Sequence, residues 1–283
     1  MTEARADEAE RARLGERYAV RSGWQVATLV ERRTESASAA TLVLDVPGWP
    51  GHLAGQHLDV RLTAPDGYTA ERSYSIASGP PERGTGGPTP SDVGGATPSG
   101  GSRVEITVQR VVGGEVSPYL VDAFPIGAGI EVRGPIGGWF VWDAARDAGT
   151  PVLLLAGGSG LVPVMSMIRA RRAYGDRTPF RLIYSVRTGE DRLYPTELER
   201  LTARDDGFEA RTIFTRAVSL TELRGPRRLT ASELASWGWP PELEPRVYAC
   251  GPTGFVEGVS RMLVAGGHDP ARVRTERFGP SGD

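Results

Sequence analysis

The 283-residue chain contains no lysine and only one cysteine, Cys250. A single thiol cannot form an internal disulfide, a four-cysteine zinc site or a plant-type iron–sulfur cluster. Histidine is nearly as scarce: His52, His57 and His268 are too scattered to form a metal-ligating pattern, so no metal is expected. No run of about 18 apolar residues occurs, which excludes a membrane-spanning helix. The opening MTEARADEAERARLGERY lacks the apolar centre of a secretory signal, so a cytoplasmic, monomeric protein away from membranes is expected. All 33 basic residues are arginine, a bias that GC-rich codon usage accounts for. Against 35 acidic residues they leave a net charge of −2. That balance gives no electrostatic case for nucleic acid as the main partner.

Glycine and proline are plentiful instead. The 37 glycines and 22 prolines make up about 21% of the chain, against a typical ~12%. Such an excess suits turn-rich β structure and glycine loops better than a helical bundle. Hydrophobic residues at 39% and charged residues at 24% are enough for a packed core.

Two patterns divide the chain. Residues 1–20 read as a charged tail. From Trp24 to Arg133, short alternating segments recur at 24–30, 41–46, 57–62, 72–77, 104–111 and 130–133, punctuated by Pro47-Gly48 and Asp66-Gly67. Six such strands predict an antiparallel sandwich or barrel over residues 21–146. One stretch, Gly79 to Ser102, is nearly all Gly, Pro, Ser and Thr and reads as a flexible insertion. Past residue 146 the pattern changes. Val152 to Ala156 is a continuous apolar run, as in a strand covered on both faces. Helical and strand segments then alternate, with a helix whose apolar residues Phe255, Val256, Val259, Met262 and Leu263 share one face, and the chain finishes in a short strand over 273–280. Residues 147–283 therefore predict a parallel α/β domain.

Several clusters carry chemistry. Gly157-Gly158-Ser159-Gly160-Leu161-Val162-Pro163 follows a buried strand and opens a helix. Glycines there let a backbone approach a pyrophosphate, and the helix start offers free N–H groups. Proline suits the first helical turn, where its missing N–H is not needed. The same residues also make a plain strand–helix turn. The next strand ends Tyr184-Ser185-Val186-Arg187, and the one after ends Thr215-Arg216. An NAD site usually has an acidic residue at this position, so Ser185, Arg187 and Arg216 favour a 2′-phosphate and NADPH over NADH. In the barrel, Arg72-Ser73-Tyr74-Ser75 offers a cation, a flat ring and hydroxyls, or simply the wet face of a strand. Gly113-Gly114-Glu115-Val116-Ser117 could form an anion-binding nest. In Tyr248-Ala249-Cys250-Gly251-Pro252, the cysteine sits at a strand-to-helix turn. It reads as a low-pKa nucleophile, a polarizable wall against a cofactor, or core packing.

In this order, the elements RSYS, GGEVS, GPIG, GGSGLVP, YSVR, ACGPTG and TERFG resemble the ferredoxin–NADP reductase family of flavoproteins over residues 22–283. The resemblance implies a six-stranded FAD-binding barrel followed by a five-stranded nucleotide-binding α/β domain. It implies hydride transfer from NADPH to flavin N5, with Ser75, Cys250 and Glu276 at the reacting centre. Arg72, Tyr74, Ser75, Gly114, Val116, Ser117 and Phe278 would hold FAD. Gly158, Ser159, Gly160, Pro163, Ser185, Arg187, Arg216, Cys250, Gly251 and Pro252 would hold NADP. With no cluster ligands in the chain, the electrons would leave to a separate acceptor, a ferredoxin or oxygenase component. An NADH-dependent flavin or quinone reductase, and a non-catalytic flavin-binding subunit, are the alternatives.

Overall fold

The computed structural model describes residues 23–80, 102–147, 149–204, 207–217 and 224–279. The expected tail at 1–20 and nearly all of the glycine-rich insertion lie outside the described residues.

The first sheet has six strands: β1 (Gln25–Ser36), β2 (Ala39–Val46), β3 (His57–Thr63), β4 (Thr69–Ser75), β5 (Ser102–Gln109) and β6 (Gly129–Ile136). All its pairings are antiparallel, in the order β4-β3-β6-β1-β2-β5. Period-two patterning sets which face of each strand is buried. On β1, Ala27 and Leu29 are fully buried while Val26 and Val30 face outward. The sheet closes where the strand past β4 returns to β5. Ile76 bridges Ile106, and the Ala77 N–H donates to the Glu105 carbonyl at 2.7 Å. Leu42, Leu44, Leu58, Val60, Ile106 and Val132 fill the barrel. A short helix α1 (Val116–Pro118) runs into a wide turn, Tyr119–Ala123, which packs Leu120 into the same core.

A short helix α2 (Ala144–Asp147) precedes the second sheet. The elements that follow are β7 (Val152–Gly157), α3 (Leu161–Ala173), β8 (Phe180–Val186), α4 (Pro195–Thr202), β9 (Phe208–Phe214), α5 (Ala231–Trp237), β10 (Arg246–Pro252), α6 (Thr253–Ala265) and β11 (Val273–Phe278). The five strands are parallel, in the order β11-β10-β7-β8-β9. All six residues of β7 are buried, as its continuous apolar run requires. Leu154 and Ala156 pack with Val164, Met165 and Ile168 of α3, whereas Leu153 and Leu155 pack with Leu234 of α5 and Val259 and Leu263 of α6. Helices thus cover both faces.

The two sheets share a core. Trp142 meets Phe180 edge-on at 5.1 Å, Phe140 meets Tyr248 at 5.4 Å, and the Tyr248 hydroxyl donates to the Val141 carbonyl at 2.9 Å. Helix α3 begins at Leu161, directly after the glycine turn. Pro163 falls in its first turn, where a missing N–H costs nothing.

Candidate active site

In the parallel sheet, the chain runs from β7 out to β8 and β9, then crosses back to β10 and β11 on the other side. The order therefore reverses between β7 and β10, the place where sheets of this kind leave a crevice at their carboxyl ends. Both glycine turns lie there, Gly157–Gly160 after β7 and Gly251 in β10. They have different tasks. A Cβ on Gly160 would sit 2.1 Å from the Cys250 carbonyl oxygen, so this glycine serves close packing of the turn against β10. Gly158 has φ +54° and open space where a Cβ would be, so it faces the crevice.

The crevice continues onto the barrel as one groove of about 750 Å³. That volume lies within the range of small-molecule and cofactor pockets. The groove brings together Arg72, Tyr74, Ser75, Gly114, Val116 and Ser117 from the barrel with Gly158, Ser159, Ser185, Arg187, Pro252 and Phe278 from the second sheet. Arg72 is exposed, and its guanidinium donates to the Glu71 carbonyl at 2.6 Å. Tyr74 is half-buried, and burial pushes its phenol up to about 12. The loop from Val111 folds back on itself, the Ser117 hydroxyl accepting from the Val111 N–H at 3.0 Å.

Other expected residues stand back from the groove. Gly160, Pro163, Cys250 and Gly251 are buried behind its wall. Arg216 is exposed next to Arg187, its N–H donating to the Arg187 carbonyl at 3.0 Å, but it does not line the groove.

Strand register sets Cys250 directly beside Glu276, and Ser75 directly beside His57. The Cys250 thiol, fully buried, donates to the Glu276 carboxylate at 3.8 Å. Burial, with the Glu276 charge next to it, pushes that thiol well above its usual range. The reading of Cys250 as a low-pKa nucleophile is therefore corrected: the thiol stays protonated and acts as a donor. Burial also raises Glu276 to about 7. The other oxygen of Glu276 lies 3.9 Å from Nδ1 of His57, whose own pKa burial lowers against the opposing charge of Asp59. Among the described residues, no group of three His, Cys, Asp or Glu is placed to hold a metal, and no helix is long and apolar enough to cross a membrane.

Sequence patterns did not reveal His57, nor Thr107, Asp191 and Thr215 on the groove wall. His57 carried a signal in hindsight, a half-buried histidine in an apolar strand, but nothing local ties it to Glu276.

An antiparallel barrel and a doubly wound parallel sheet thus meet at one groove. The family model for an oxidoreductase NAD-binding domain matches residues 154–261. The glycine betaine monooxygenase reductase subunit of Pseudomonas aeruginosa is 32% identical over 230 residues, covering 80% of this chain and 56% of that protein. The chain thus spans little more than half the length of this curated relative. The flavohaem-like FAD/NAD-binding domain of nitric oxide dioxygenase from Vibrio cholerae superposes with a TM-score of 0.73 at 24% identity, covering 92% of this chain and all of that one. The ferredoxin–NADP+ reductase of Plasmodium falciparum superposes with a TM-score of 0.68 at 15% identity, covering 90% and 97%. Residues 154–261 thus match an oxidoreductase NAD-binding domain, and the whole chain shares the fold of these FAD- and NAD(P)-binding structures.

Proposed function

We propose that the chain is an FAD-dependent NAD(P)H oxidoreductase that takes a hydride from NADPH and passes electrons singly to a separate acceptor, a ferredoxin serving an oxygenase or P450. The observation that carries this reading is the single groove in which the Arg72–Ser75 strand faces the Gly158 turn. The site suits the cofactors: Arg72 of β4 and Arg187 just past β8 both line it, and open space lies before Gly158. Bound FAD would supply the conversion of a two-electron donor into one-electron steps.

The chain's own residues then bind and orient. Arg72 would pair with the flavin-side diphosphate, with Gly114, Val116 and Ser117 on its other side. Tyr74 and Phe278 would offer aromatic faces to the flavin, and the Ser75 hydroxyl would offer it a hydrogen bond. Gly158, Ser159 and Pro252 border the second dinucleotide, with Gly160, Pro163 and Gly251 shaping the turns behind them. Cys250 backs the nicotinamide end, and its thiol orients Glu276. Glu276, at about 7, holds or releases a proton near neutral pH. Ser185 and Arg187 would face the 2′-phosphate from the groove wall, with Arg216 exposed beside them. The oxygenase-reductase name of the Pseudomonas relative supports an oxygenase-side acceptor.

The holoprotein should be reduced anaerobically by NADPH faster than by NADH, and then reoxidised by ferredoxin in preference to free flavin or quinone. Arg187→Ala or Arg216→Ala should weaken NADPH roughly ten- to a hundredfold and spare NADH, the worth of one charge-assisted bond. Equal losses for both coenzymes would show that neither arginine reads the phosphate. The second reading, an NADH-dependent reductase, is favoured by Asp191, a carboxylate on the same wall as Arg187 that suits free ribose hydroxyls.

A further inference from the structure

Between β8 and α4, residues 187–194 connect the groove to the barrel. Arg187 and Asp191 line the groove at one end of this segment. Tyr194 closes the other end, with φ +50°, a left-handed conformation uncommon for a residue with a side chain. It is 4% exposed, and its hydroxyl donates to Oγ1 of Thr107 on β5, a strand of the other sheet. Thr107 itself lines the groove and pairs with the Thr41 hydroxyl at 2.7 Å. The Thr41 hydroxyl is in turn 2.6 Å from the Glu35 carboxylate. The other oxygen of Glu35 accepts from the Tyr194 N–H at 3.4 Å, which closes a polar ring across the two sheets. The Arg169 guanidinium lies 4.9 Å above the Tyr194 ring and reaches Glu197 at 2.6 Å, Glu105 at 3.2 Å and the Ala77 carbonyl at 2.9 Å. The segment is tied to its own sheet at both ends: the Arg187 carbonyl accepts from the Arg216 and Ala217 N–H groups, and the Leu193 N–H donates to the Tyr184 hydroxyl at 3.2 Å.

We propose that Tyr194 is a positioning residue for dinucleotide binding: its bond to Thr107 clamps the 187–194 segment to the barrel and fixes the place of Arg187 and Asp191 on the groove wall. A left-handed backbone at a tyrosine persists only where the surroundings over-determine it, and this ring of partners does so. Because Thr107 is both the clasp's anchor and part of the wall, binding on one sheet is set by a bond to the other. The inference rests on the reading that a dinucleotide occupies the groove.

The test is a double-mutant cycle in FAD-loaded protein, with NADP+ and NAD+ affinities measured by calorimetry. Tyr194→Phe removes one hydroxyl and keeps the ring, while Thr107→Val removes the same bond from the barrel side together with the bond to Thr41. Each should weaken dinucleotide binding roughly three- to tenfold, the worth of one buried hydrogen bond. The double variant should be no weaker than Thr107→Val alone, because the Tyr194 bond is already lost there. In Tyr194→Phe, KM should rise with kcat nearly unchanged, since the loss is one of binding. Amides of 187–194 should exchange faster in Tyr194→Phe, a readout independent of turnover. Additive losses, or unaltered affinity in either single variant, would overturn the clasp. If Tyr194→Phe does not fold, Thr107→Val with wild-type affinity overturns it equally. A wild-type holoprotein that binds neither dinucleotide would overturn both the clasp and the groove reading beneath it.

Discussion

Glu276 places a carboxyl that titrates near neutral pH against a thiol that does not ionise. Its pKa in the folded chain, about 7, lies above the ordinary 4.5 because burial disfavours the charge. The folded state therefore binds more protons than the unfolded state between those values. Stability is undiminished below pH 4.5 and falls as pH rises towards 7, by about 3 kcal/mol at most. Urea unfolding at pH 5 and pH 8 should show Glu276→Gln losing less stability across that interval than the wild type. Equal losses would mean that Glu276 titrates normally. For Ser75→Ala, the expectation is retained FAD with flavin reduction slowed by roughly tenfold to a thousandfold, checked by anaerobic stopped flow. At this scale the motifs were legible: Ser75, Cys250 and Glu276 stand out in RSYS, ACGP and TERFG. Their protonation was not. The Cys250 thiol is raised and Glu276 shifted by burial and by each other, which are products of packing between β10 and β11.

Strands and helices were legible wherever one periodicity ruled. The alternation of β1 and the unbroken apolar run of β7 each identify an element and its buried face. Boundaries moved where a neighbouring strand or a cap decided them. Strand β4 starts at Thr69 because Thr69 to Ala70 pair with β3, and Thr63 and Leu62 supply partners beyond the apolar segment. Glycines differ in what they do within one turn, which sequence cannot resolve. Gly160→Ala forces a methyl against the Cys250 carbonyl and should cost about 2–3 kcal/mol in thermal or urea unfolding, as overpacking does. Gly158→Ala meets open space and should cost only about 1 kcal/mol, for its left-handed backbone. It should nonetheless weaken dinucleotide binding, because the methyl enters the groove. Similar stability losses in the two variants would show that the turn does not divide its work this way.

Across the whole molecule, the two sheets behave as one packed body whose groove exists only where they meet. Trp142 against Phe180 and the Arg169 network join them by apolar and ionic contacts. Arg169→Met should leave Glu197 without its cation and cost about 2 kcal/mol, discounted for partial exposure. The order of the two domains was legible from the change of pattern near residue 146. The contacts between them were not, because Tyr194 and Glu35 are 159 residues apart and no local pattern encodes a pair so distant. The solitary cysteine, by contrast, constrains this chain from composition alone, since one thiol cannot ligate a plant-type cluster.

The most direct measurement is anaerobic mixing of FAD-reconstituted protein with stoichiometric NADPH, following flavin absorbance. The shared groove predicts that FAD binds at one per chain and is bleached in a single rapid phase that Ser75→Ala slows. Protein that takes up no FAD, or FAD that stays oxidised with both NADPH and NADH, would contradict it.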